Sequence, residues 1–560
     1  MVDAAATIFL AMSTHPGPAR TRRLGELSCR TGTLVAAAIV ALSTAVFLLA
    51  NGAGLSDPGL QYDELLFVNA ALGNSHAYHG FIYSESLGIP TMLMPYIGAL
   101  KAWIYTPIFS VFGVSVDSIR VPVLLLAALA IVCAVLLVQR LLGTWAAVAL
   151  AVLLATDPVY GAVSRADWGP IVLSALLRMA ALLCYFGFLR RRSVRYLWLL
   201  VAALSLGLFN KLDYGWFIAA LGIAALVTHH RELLELARRR RAAVLLPLAV
   251  LTAVLAAAFV ALILPAMQLP TSDAHVSLGT RITEVENLFR GTVNGTAVYG
   301  YMTGSILDHS TLMGWLSPWI LLGSALVAAW SLARGRRRKP GDPLREAAST
   351  TTFFLVLFAV IIIGIVATRQ ATGPQHVMLL WPLPAVLAVC LLVTAMRVPI
   401  RAASRTAVAV LLVALAALLL TQVRTTAAYV HAYRDDRRWT SIWSPEIYAA
   451  ARAVTQAAPR VDSIVSADWG LGTQIFALGN EAVRDRFNDE WPVFSSPTTT
   501  TTALQQQWFQ GRRIIIVYHA QSAQIMPFTT ERVKTILKGL GSRVHPIFVG
   551  RQIEADIVED

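Results

Sequence analysis

The sequence predicts an α-helical polytopic membrane protein with about 11 transmembrane helices, interfacial helices in its first outer loop and a small C-terminal α/β extracytoplasmic domain. Of its 560 residues, 56% are hydrophobic and 14% are charged, whereas soluble domains carry roughly 25% charged residues. Apolar runs of about span length recur up to residue 422, and the composition changes after that point. These observations exclude an ordinary soluble fold for most of the chain.

The predicted spans are apolar runs of about the length that a helix needs to cross a bilayer. They lie near residues 33–51, 121–139, 145–163, 170–189, 196–210, 214–229, 243–265, 314–333, 351–367, 377–396 and 405–422. The first run follows an arginine-rich segment and ends without a small-residue cleavage motif. We therefore expect an uncleaved first helix with the N-terminus inside.

A twelfth run, Gly88–Phe112, decides the orientation of everything after it. If it crossed the membrane, the four arginine-rich loops that follow would all lie outside, against the positive-inside rule. Those loops are 190–195, 231–241, 334–339 and 397–405. The run also contains Pro90, Pro95, Lys101 and Pro107, which suit an interfacial or re-entrant helix. The sequence therefore predicts that it lies along the outer face.

Three regions follow from this topology. Residues 1–32 form a cytoplasmic tail, and residues 33–423 form the membrane domain, with outer loops at 52–120 and 266–313. Residues 424–560 form the α/β domain. Its helices are predicted at Pro445–Gln456 and Thr530–Leu540 and a strand at Ile514–Tyr518. A helix over Leu278–Phe289 is expected in the long outer loop.

The formal charge of +14 does not indicate nucleic-acid binding, because the arginines occupy short loops between apolar runs. That distribution is typical of topology signals and contacts with lipid headgroups. The four cysteines show neither a disulfide framework nor a metal-binding spacing. Membrane lipids are thus expected partners and nucleic acid is not.

Polar residues concentrate in the loops that this topology places outside. Asp63 and Glu64 directly follow the first span, where carboxylates are costly unless they have a function. Further polar stretches occupy 164–169, 210–214 and 368–376. Cations at the lipid boundary suit a phosphate group, and carboxylates suit deprotonation of a hydroxyl or coordination of a metal. The joint placement on one face predicts a site.

Each of these residues also has a purely structural explanation. Asp63 and Glu64 could cap a helix N-terminus, and Lys101 could extend to the headgroups. Lys211 with Asp213, and Arg165 with Asp167, could form local ion pairs.

A metal site is equally open. The residues Asp63, Glu64, His76 and His79 could supply ligands, but their spacing matches no closed site. The sequence therefore predicts no certain cofactor and leaves a divalent metal possible.

Four motifs together resemble the GT-C glycosyltransferases. They are the Asp63-Glu64 pair, the run ending Phe112-Gly113 before Ser118-Ile119-Arg120-Val121-Pro122, the Ser164-Arg165-Ala166-Asp167 turn and the Gly207-Leu208-Phe209-Asn210-Lys211 turn. The resemblance covers about residues 30–400. It is strongest to the glycosyltransferase family 39-like branch, which contains protein O-mannosyltransferases and bacterial aminoarabinose transferases.

The resemblance implies an activity and its location. It implies that a hexosyl or pentosyl group moves from a polyprenyl-phosphate-linked donor to an acceptor hydroxyl, with inversion, at the extracytoplasmic face of a bacterial inner membrane. The acceptor could be a lipid, a glycan or a protein.

The resemblance also implies roles for individual residues. Asp63 is the expected base, with Glu64 beside it and Asp167 as the second acidic position. The expected donor-phosphate contacts are Lys101, Lys211, Arg369 and Arg165. The expected acceptor or sugar pocket contains Tyr62, His76, His79, His376 and Gln375.

Two other classes of protein fit part of the pattern. A transporter or flippase of a lipid-linked sugar would use the same cations, but it needs polar residues along a path through the spans. The spans are nearly free of charge away from their outer ends. A membrane scaffold would leave the acids of the outer loops without a purpose.

Overall fold

The computed structural model of the protein describes residues 21–73, 84–239, 241–264, 277–334, 342–368, 373–398, 402–436 and 439–559. His76, His79 and Arg369, which the sequence places in the site, lie outside the described residues.

Helices make up most of the described chain. Those before residue 300 are α1 (Thr21–Gly52), α2 (Tyr62–Ala71), α3 (Leu100–Phe112), α4 (Val116–Leu142), α5 (Thr144–Ala155), α6 (Pro158–Arg165), α7 (Ile171–Arg191), α8 (Val194–Asn210), α9 (Tyr214–Arg239), α10 (Arg241–Ala258), α11 (Leu278–Val293) and α12 (Thr296–Thr303). Those that follow are α13 (Met313–Arg334), α14 (Pro343–Thr368), α15 (Pro374–Val377), α16 (Leu383–Arg397), α17 (Ala402–His431), α18 (Glu446–Ala457), α19 (Gly472–Leu478), α20 (Glu481–Arg484), α21 (Trp491–Ser495), α22 (Thr501–Leu504) and α23 (Thr529–Leu540).

The strands form two sheets. A small antiparallel sheet contains β1 (Ser84–Ser86), β2 (Ile89–Met94) and β3 (Ile97–Gly98). The second sheet belongs to the C-terminal domain and contains β4 (Ser463–Ser466), β5 (Phe487–Asp489), β6 (Ile514–His519), β7 (Val544–Val549) and β8 (Ile553–Val558). Its order is β5-β4-β6-β8-β7, with β4 parallel to β5 and β6 and with β8 antiparallel to β6 and β7.

Each of the predicted spans coincides with apolar helix in the described chain. Within the described residues, eight helical segments are long and apolar enough to cross a membrane: Val116–Leu142, Ile171–Arg191, Tyr214–Leu236, Ala243–Ala261, Met313–Ala333, Pro343–Thr368, Pro374–Arg397 and Arg405–His431. The helices α5 and α6 pass the same test as a pair that is bent by 58°, and Ala37–Gly52 and Val194–Asn210 are shorter apolar helices. The prediction of a polytopic helical membrane protein is confirmed.

The break between α5 and α6 has a local cause. Pro158 cannot donate a backbone hydrogen bond, so a continuous helix would be interrupted there. The Asp157 side chain accepts hydrogen bonds from the amides of Val159 and Tyr160 and thereby caps the new helix.

The Gly88–Phe112 run is only partly the helix that its composition predicts. Ile89–Gly98 forms β2 and β3, because Pro90 and Pro95 disfavour a helix interior. The turn at Leu87 and Gly88 has positive φ at both residues, as a two-residue hairpin loop requires. The remaining helix, α3, has 13 residues and spans about 20 Å, whereas a bilayer core is about 30 Å thick.

The C-terminal region is a small α/β domain, as predicted. The helices expected at 445–456 and 530–540 appear as α18 and α23, and the expected strand appears as β6. All six residues of β6 are buried, so the strand forms the centre of this domain's core. The helix expected at 278–289 also forms, as α11.

A glycine on β3 allows the small sheet to pack against the bundle. An added Cβ at Gly98 would overlap the carbonyl oxygen of Phe209 in α8. We expect Gly98→Ala to destabilise the protein by about 1–3 kcal/mol, because backbone cannot move aside as a side chain can. Thermal unfolding in detergent measures this. Gly222→Ala, where a Cβ meets open space, is the control, and an equal melting temperature in both variants would contradict the packing argument.

Candidate active site

The site is organised around the first turn of α2. Gln61 caps this helix, because its Oε1 accepts hydrogen bonds from the Asp63 amide at 2.6 Å and from the Glu64 amide at 3.2 Å. The Gln61 amide donates in turn to Glu64 Oε2 at 3.3 Å, which completes a capping box. Neighbouring residues on a helix point about 100° apart, so the two carboxylates face different surroundings.

Glu64 faces inward and forms a buried ion pair with Arg120 of α4. Arg120 Nε and Nη2 donate to the two carboxylate oxygens, each at 2.8 Å. The guanidinium also donates to the carbonyls of Leu55, Pro58 and Gly59 at 2.5–3.1 Å. Both side chains are almost completely buried, so this cation fixes the loop between α1 and α2.

Asp167 forms the second buried ion pair. Lys101 Nζ lies 2.9 Å from Asp167 Oδ2 and also donates to the carbonyls of Asp167 and Gly169. The other carboxylate oxygen accepts the Ile171 amide at the start of α7. Burial raises the pKa of Asp167, and Lys101 partly opposes the shift.

Arg165, at the end of α6, is held by backbone carbonyls. It donates to the carbonyls of Asn51, Ala53, Gly54 and Asp57. These bonds join the end of the broken span to the end of the first helix.

Lys211 lies in the turn between α8 and α9 and pairs with Asp213 at 2.9 Å. The small sheet holds this turn through two backbone contacts. Lys211 forms an isolated antiparallel β-bridge with Ile97, and the Leu212 amide donates to the Tyr96 carbonyl at 3.0 Å. The turn thus lies next to the sheet that precedes α3, which brings two separate polar loops together.

Asp63 is half-buried at this junction. Burial raises the pKa of Asp63 to about 6, against the lowering effects of the Gln61 hydrogen bond and the Lys211 charge. The phenols of Tyr96 and Tyr301 lie close enough to sense the carboxylate, since burial and then the Asp63 charge raise the pKa of each. Asp63 therefore lies within electrostatic reach of one cation and two phenols.

Three further residues of the predicted pocket are described. Gln375 accepts a hydrogen bond from Trp168 Nε1 at 3.2 Å, and His376 Nδ1 is buried without a partner among the described residues. The Tyr62 hydroxyl donates to Asp489 of the C-terminal domain at 3.0 Å. The structure thus gathers the predicted acids, Lys101, Arg165 and Lys211 at one end of the bundle.

The sequence reasoning missed several residues of this site. Gln61 could have been found, because Gln61 and Glu64 have the three-residue spacing of a capping box. Arg120 appeared in the sequence analysis only as part of a motif, without a role. Its ion-pair partner, Glu64, is 56 residues away in the chain. Nothing in the sequence indicated Asp489, Tyr96 or the position of Tyr301.

Among the described residues, no group of three or more His, Cys, Asp or Glu side chains is placed to hold a metal ion. Two of the ligands considered from the sequence, His76 and His79, lie outside the described residues.

Comparisons with known proteins identify a similar family and similar folds. A family model for dolichyl-phosphate-mannose-protein mannosyltransferase matches residues 98–265, the segment that contains Lys101, Arg165, Asp167 and Lys211. No curated protein matches the chain.

Solved structures match over most of the chain. ArnT from Cupriavidus metallidurans in the apo state has a TM-score of 0.55 and 12% identity, over 94% of this chain and 98% of that chain. The same protein bound to undecaprenyl phosphate has a TM-score of 0.47 and 13% identity over the same shares. The Archaeoglobus fulgidus oligosaccharyltransferase in the apo form has a TM-score of 0.49 and 12% identity, over 86% of this chain and 69% of that chain.

The protein is thus a helical membrane protein with the fold of ArnT, and its residues 98–265 are similar to the family of dolichyl-phosphate-mannose-protein mannosyltransferases. Both similarities agree with the resemblance to the GT-C glycosyltransferases that the sequence motifs predicted.

The ion pair between Glu64 and Arg120 gives a test of the site's construction. We expect Arg120→Met to destabilise the protein by about 3–5 kcal/mol, because it leaves a buried carboxylate without its partner. The double variant Arg120→Met/Glu64→Gln should recover part of this loss, since no charge then remains buried. Unfolding in detergent measures both.

Lys534→Ala serves as the control for that experiment. It removes a partly exposed ion pair with Glu554, and such pairs contribute about 0–1 kcal/mol. If Arg120→Met changed stability no more than this control, the buried pair would not fix the loop.

Proposed function

We propose that the protein transfers a sugar from a polyprenyl-phosphate-linked donor to an acceptor hydroxyl, with Asp63 as the base. The name of the family model that matches residues 98–265 describes a sugar carried on a polyprenyl phosphate, which supports this class of donor. The acceptor is a lipid, a glycan or a protein.

The observation that carries the proposal is the state of the three predicted acids. Glu64 is paired with Arg120 and Asp167 with Lys101, each at 2.8–2.9 Å. Asp63 has no ion pair within 4 Å among the described residues, and its pKa of about 6 leaves it ionised yet basic at neutral pH. A general base works best when its pKa lies near the working pH.

The chemistry requires little more than a base and cations. A polyprenyl phosphate is already a good leaving group, so protonation of the leaving oxygen is unnecessary. Asp63 removes the acceptor proton while the hydroxyl oxygen attacks the anomeric carbon from the side opposite the phosphate, and the configuration inverts. Cations at the phosphate stabilise the charge that develops as the bond breaks.

The contacts of the cations divide their proposed roles. Lys211 and Arg369 are proposed to bind the donor phosphate. The charge of Lys211 acts on the Asp63 carboxylate, which places this cation beside the proposed base. Lys211 is ion-paired with one carboxylate, that of Asp213, and keeps donors for a phosphate.

Lys101 donates to three acceptors and Arg165 to four, so we assign them to shaping the phosphate site. Asp167 holds Lys101 in place, and Glu64 holds Arg120.

The pocket for sugar and acceptor is proposed around Tyr62, His76, His79, Gln375 and His376. The buried, unpartnered Nδ1 of His376 supports this assignment, since a buried polar atom without a partner calls for a ligand or water. The site is proposed to face the extracytoplasmic side of a bacterial inner membrane, which follows from the inward placement of the arginine-rich loops.

Asp63→Asn should reduce transfer by about 10²–10⁴-fold, because the amide cannot accept the acceptor's proton. The measurement is transfer of radiolabelled sugar from polyprenyl-phosphate donors in membranes that contain either protein. Asp117→Asn, an exposed acid in the same loop, is the control and should transfer normally. Near-normal turnover by Asp63→Asn would exclude its role as base.

The same membranes distinguish a transferase from a transporter. A transporter would leave the donor intact and move labelled lipid across the bilayer equally well in the wild type and in Asp63→Asn. Label that reaches an acceptor only when Asp63 is present supports transfer.

The pH dependence of transfer follows from the raised pKa of Asp63. The active form is the carboxylate, so activity should be full well above pH 6 and half-maximal near pH 6, rather than half-maximal at the ordinary pKa near 4. A half-maximal rate near pH 4 would contradict this prediction.

Lys211→Met should move that acid limb to higher pH and raise the donor KM. The positive charge of Lys211 favours the ionised carboxylate, so its loss raises the pKa of Asp63 further. The donor phosphate also loses a contact. Lys538→Met, at an exposed position of the C-terminal domain, is the control. An unchanged pH profile and KM would remove Lys211 from the site.

A further inference from the structure

The C-terminal domain presents the edge of its sheet at which ligands of α/β domains usually bind. Strands β5 and β6 lie on opposite sides of β4 and are parallel to it. The carboxyl end of β4 is therefore a topological switch point, because the neighbouring parallel strands lie on opposite sides of β4. In open α/β sheets, ligands bind in the crevice at such a point. Trp469 follows β4, and Asp489 ends β5.

In this protein, a segment of the membrane domain lies at that edge. The Tyr62 hydroxyl donates to Asp489 Oδ2 at 3.0 Å, and its ring centroid lies 5.0 Å from that of Trp469. Tyr62 is the first residue of α2, and Asp63 is the next residue along the chain.

Backbone contacts reinforce the same junction. Thr473 Oγ1 donates to the Tyr62 carbonyl at 3.0 Å, and Gln474 Nε2 donates to the Leu60 carbonyl at 3.2 Å. On the next turns of α2, Asn69 Nδ2 donates to the Thr473 carbonyl at 3.1 Å. Helix α19 is thus bonded to both ends of the segment that carries Asp63.

Helix α2 needs such support. It has 10 residues, and helices shorter than about 12–15 residues are marginal in water without tertiary contacts. Arg120 holds one side of its first turn through Glu64. The other side is held by residues more than 400 positions later in the chain.

We propose that the C-terminal domain is part of the catalytic apparatus, and that Asp489 positions the base through its hydrogen bond to Tyr62. This rests on the proposed role of Asp63 as base. Asp489 touches no reacting atom in this scheme; it holds Tyr62, and Tyr62 sets where the Asp63 carboxylate points.

Gly472 provides an independent way to disturb Asp489. It is the first residue of α19, and an added Cβ would overlap the Asp489 carboxylate. Gly472→Ala therefore displaces the carboxylate from Tyr62 while every hydrogen-bonding group of the junction stays in the chain. Gly539→Ala, in α23, adds the same methyl group where nothing lies within 4 Å, and it is the matched control.

The test compares the wild type with Asp489→Leu, Asp489→Asn, Gly472→Ala and Gly539→Ala in the full-length protein in detergent. Two quantities are measured: sugar transfer from a polyprenyl-phosphate donor, with kcat and KM, and hydrogen–deuterium exchange of the amides in residues 60–71. Exchange in β6 verifies that the C-terminal domain remains folded.

We expect Asp489→Leu and Gly472→Ala to lower kcat by about 10²-fold with little change in donor KM, because a displacement of about 1 Å in a catalytic group has that effect. Exchange in residues 60–71 should rise in both variants while β6 stays protected. Asp489→Asn keeps an oxygen acceptor for Tyr62, so it should retain kcat within a few-fold. Gly539→Ala should match the wild type.

Three results would overturn the proposal, and each has a distinct signature. Unchanged exchange in residues 60–71 of Asp489→Leu would mean that the contact does not hold α2. Raised exchange with wild-type kcat would mean that its position does not matter for transfer. Full transfer by Asp63→Asn would instead remove the base, and with it the proposed function on which this role rests.

Discussion

The buried ion pair between Glu64 and Arg120 is the constraint on which the rest of the site depends. Removing two charges from water costs several kcal/mol per ion, and only close pairing with further hydrogen bonds offsets that cost. Arg120 meets the requirement with five hydrogen bonds, two to Glu64 and three to loop carbonyls. The geometry that satisfies the guanidinium therefore also fixes the loop between α1 and α2 and the start of α2.

Pairing also explains why two adjacent acids differ in chemical character. Both stand in the first turn of α2, but Glu64 forms an ion pair with Arg120, whereas Asp63 forms none among the described residues. Burial without a close cation raises the pKa of Asp63 to about 6. Asp167 resembles Glu64 rather than Asp63, because its buried carboxylate forms an ion pair with Lys101. The fold neutralises the charges that hold the site together and leaves one carboxylate able to accept a proton.

Local patterns predicted the elements, and long-range contacts escaped prediction. Length and hydropathy located the spans, since the bilayer imposes both. Charge bias predicted that Gly88–Phe112 does not cross, and the structure divides this run into two strands and a helix of 13 residues. Composition could not reveal the hairpin within that run, because its prolines fit an interrupted helix as well as strands. The bonds of Arg120 to Glu64 and of Tyr62 to Asp489 join residues 56 and 427 positions apart, and a single sequence carries no signal of such pairings.

The two supports of α2 differ in a way that suits their surroundings. On the membrane side, where an unpaired charge would be costly, a cation and an anion neutralise each other. On the side of the C-terminal domain, the contacts are hydrogen bonds from a phenol and from neutral side chains, together with aromatic packing. A helix of 10 residues placed between these two supports keeps its base fixed without a second cation. A further positive charge so close to Asp63 would lower its pKa and weaken it as a base.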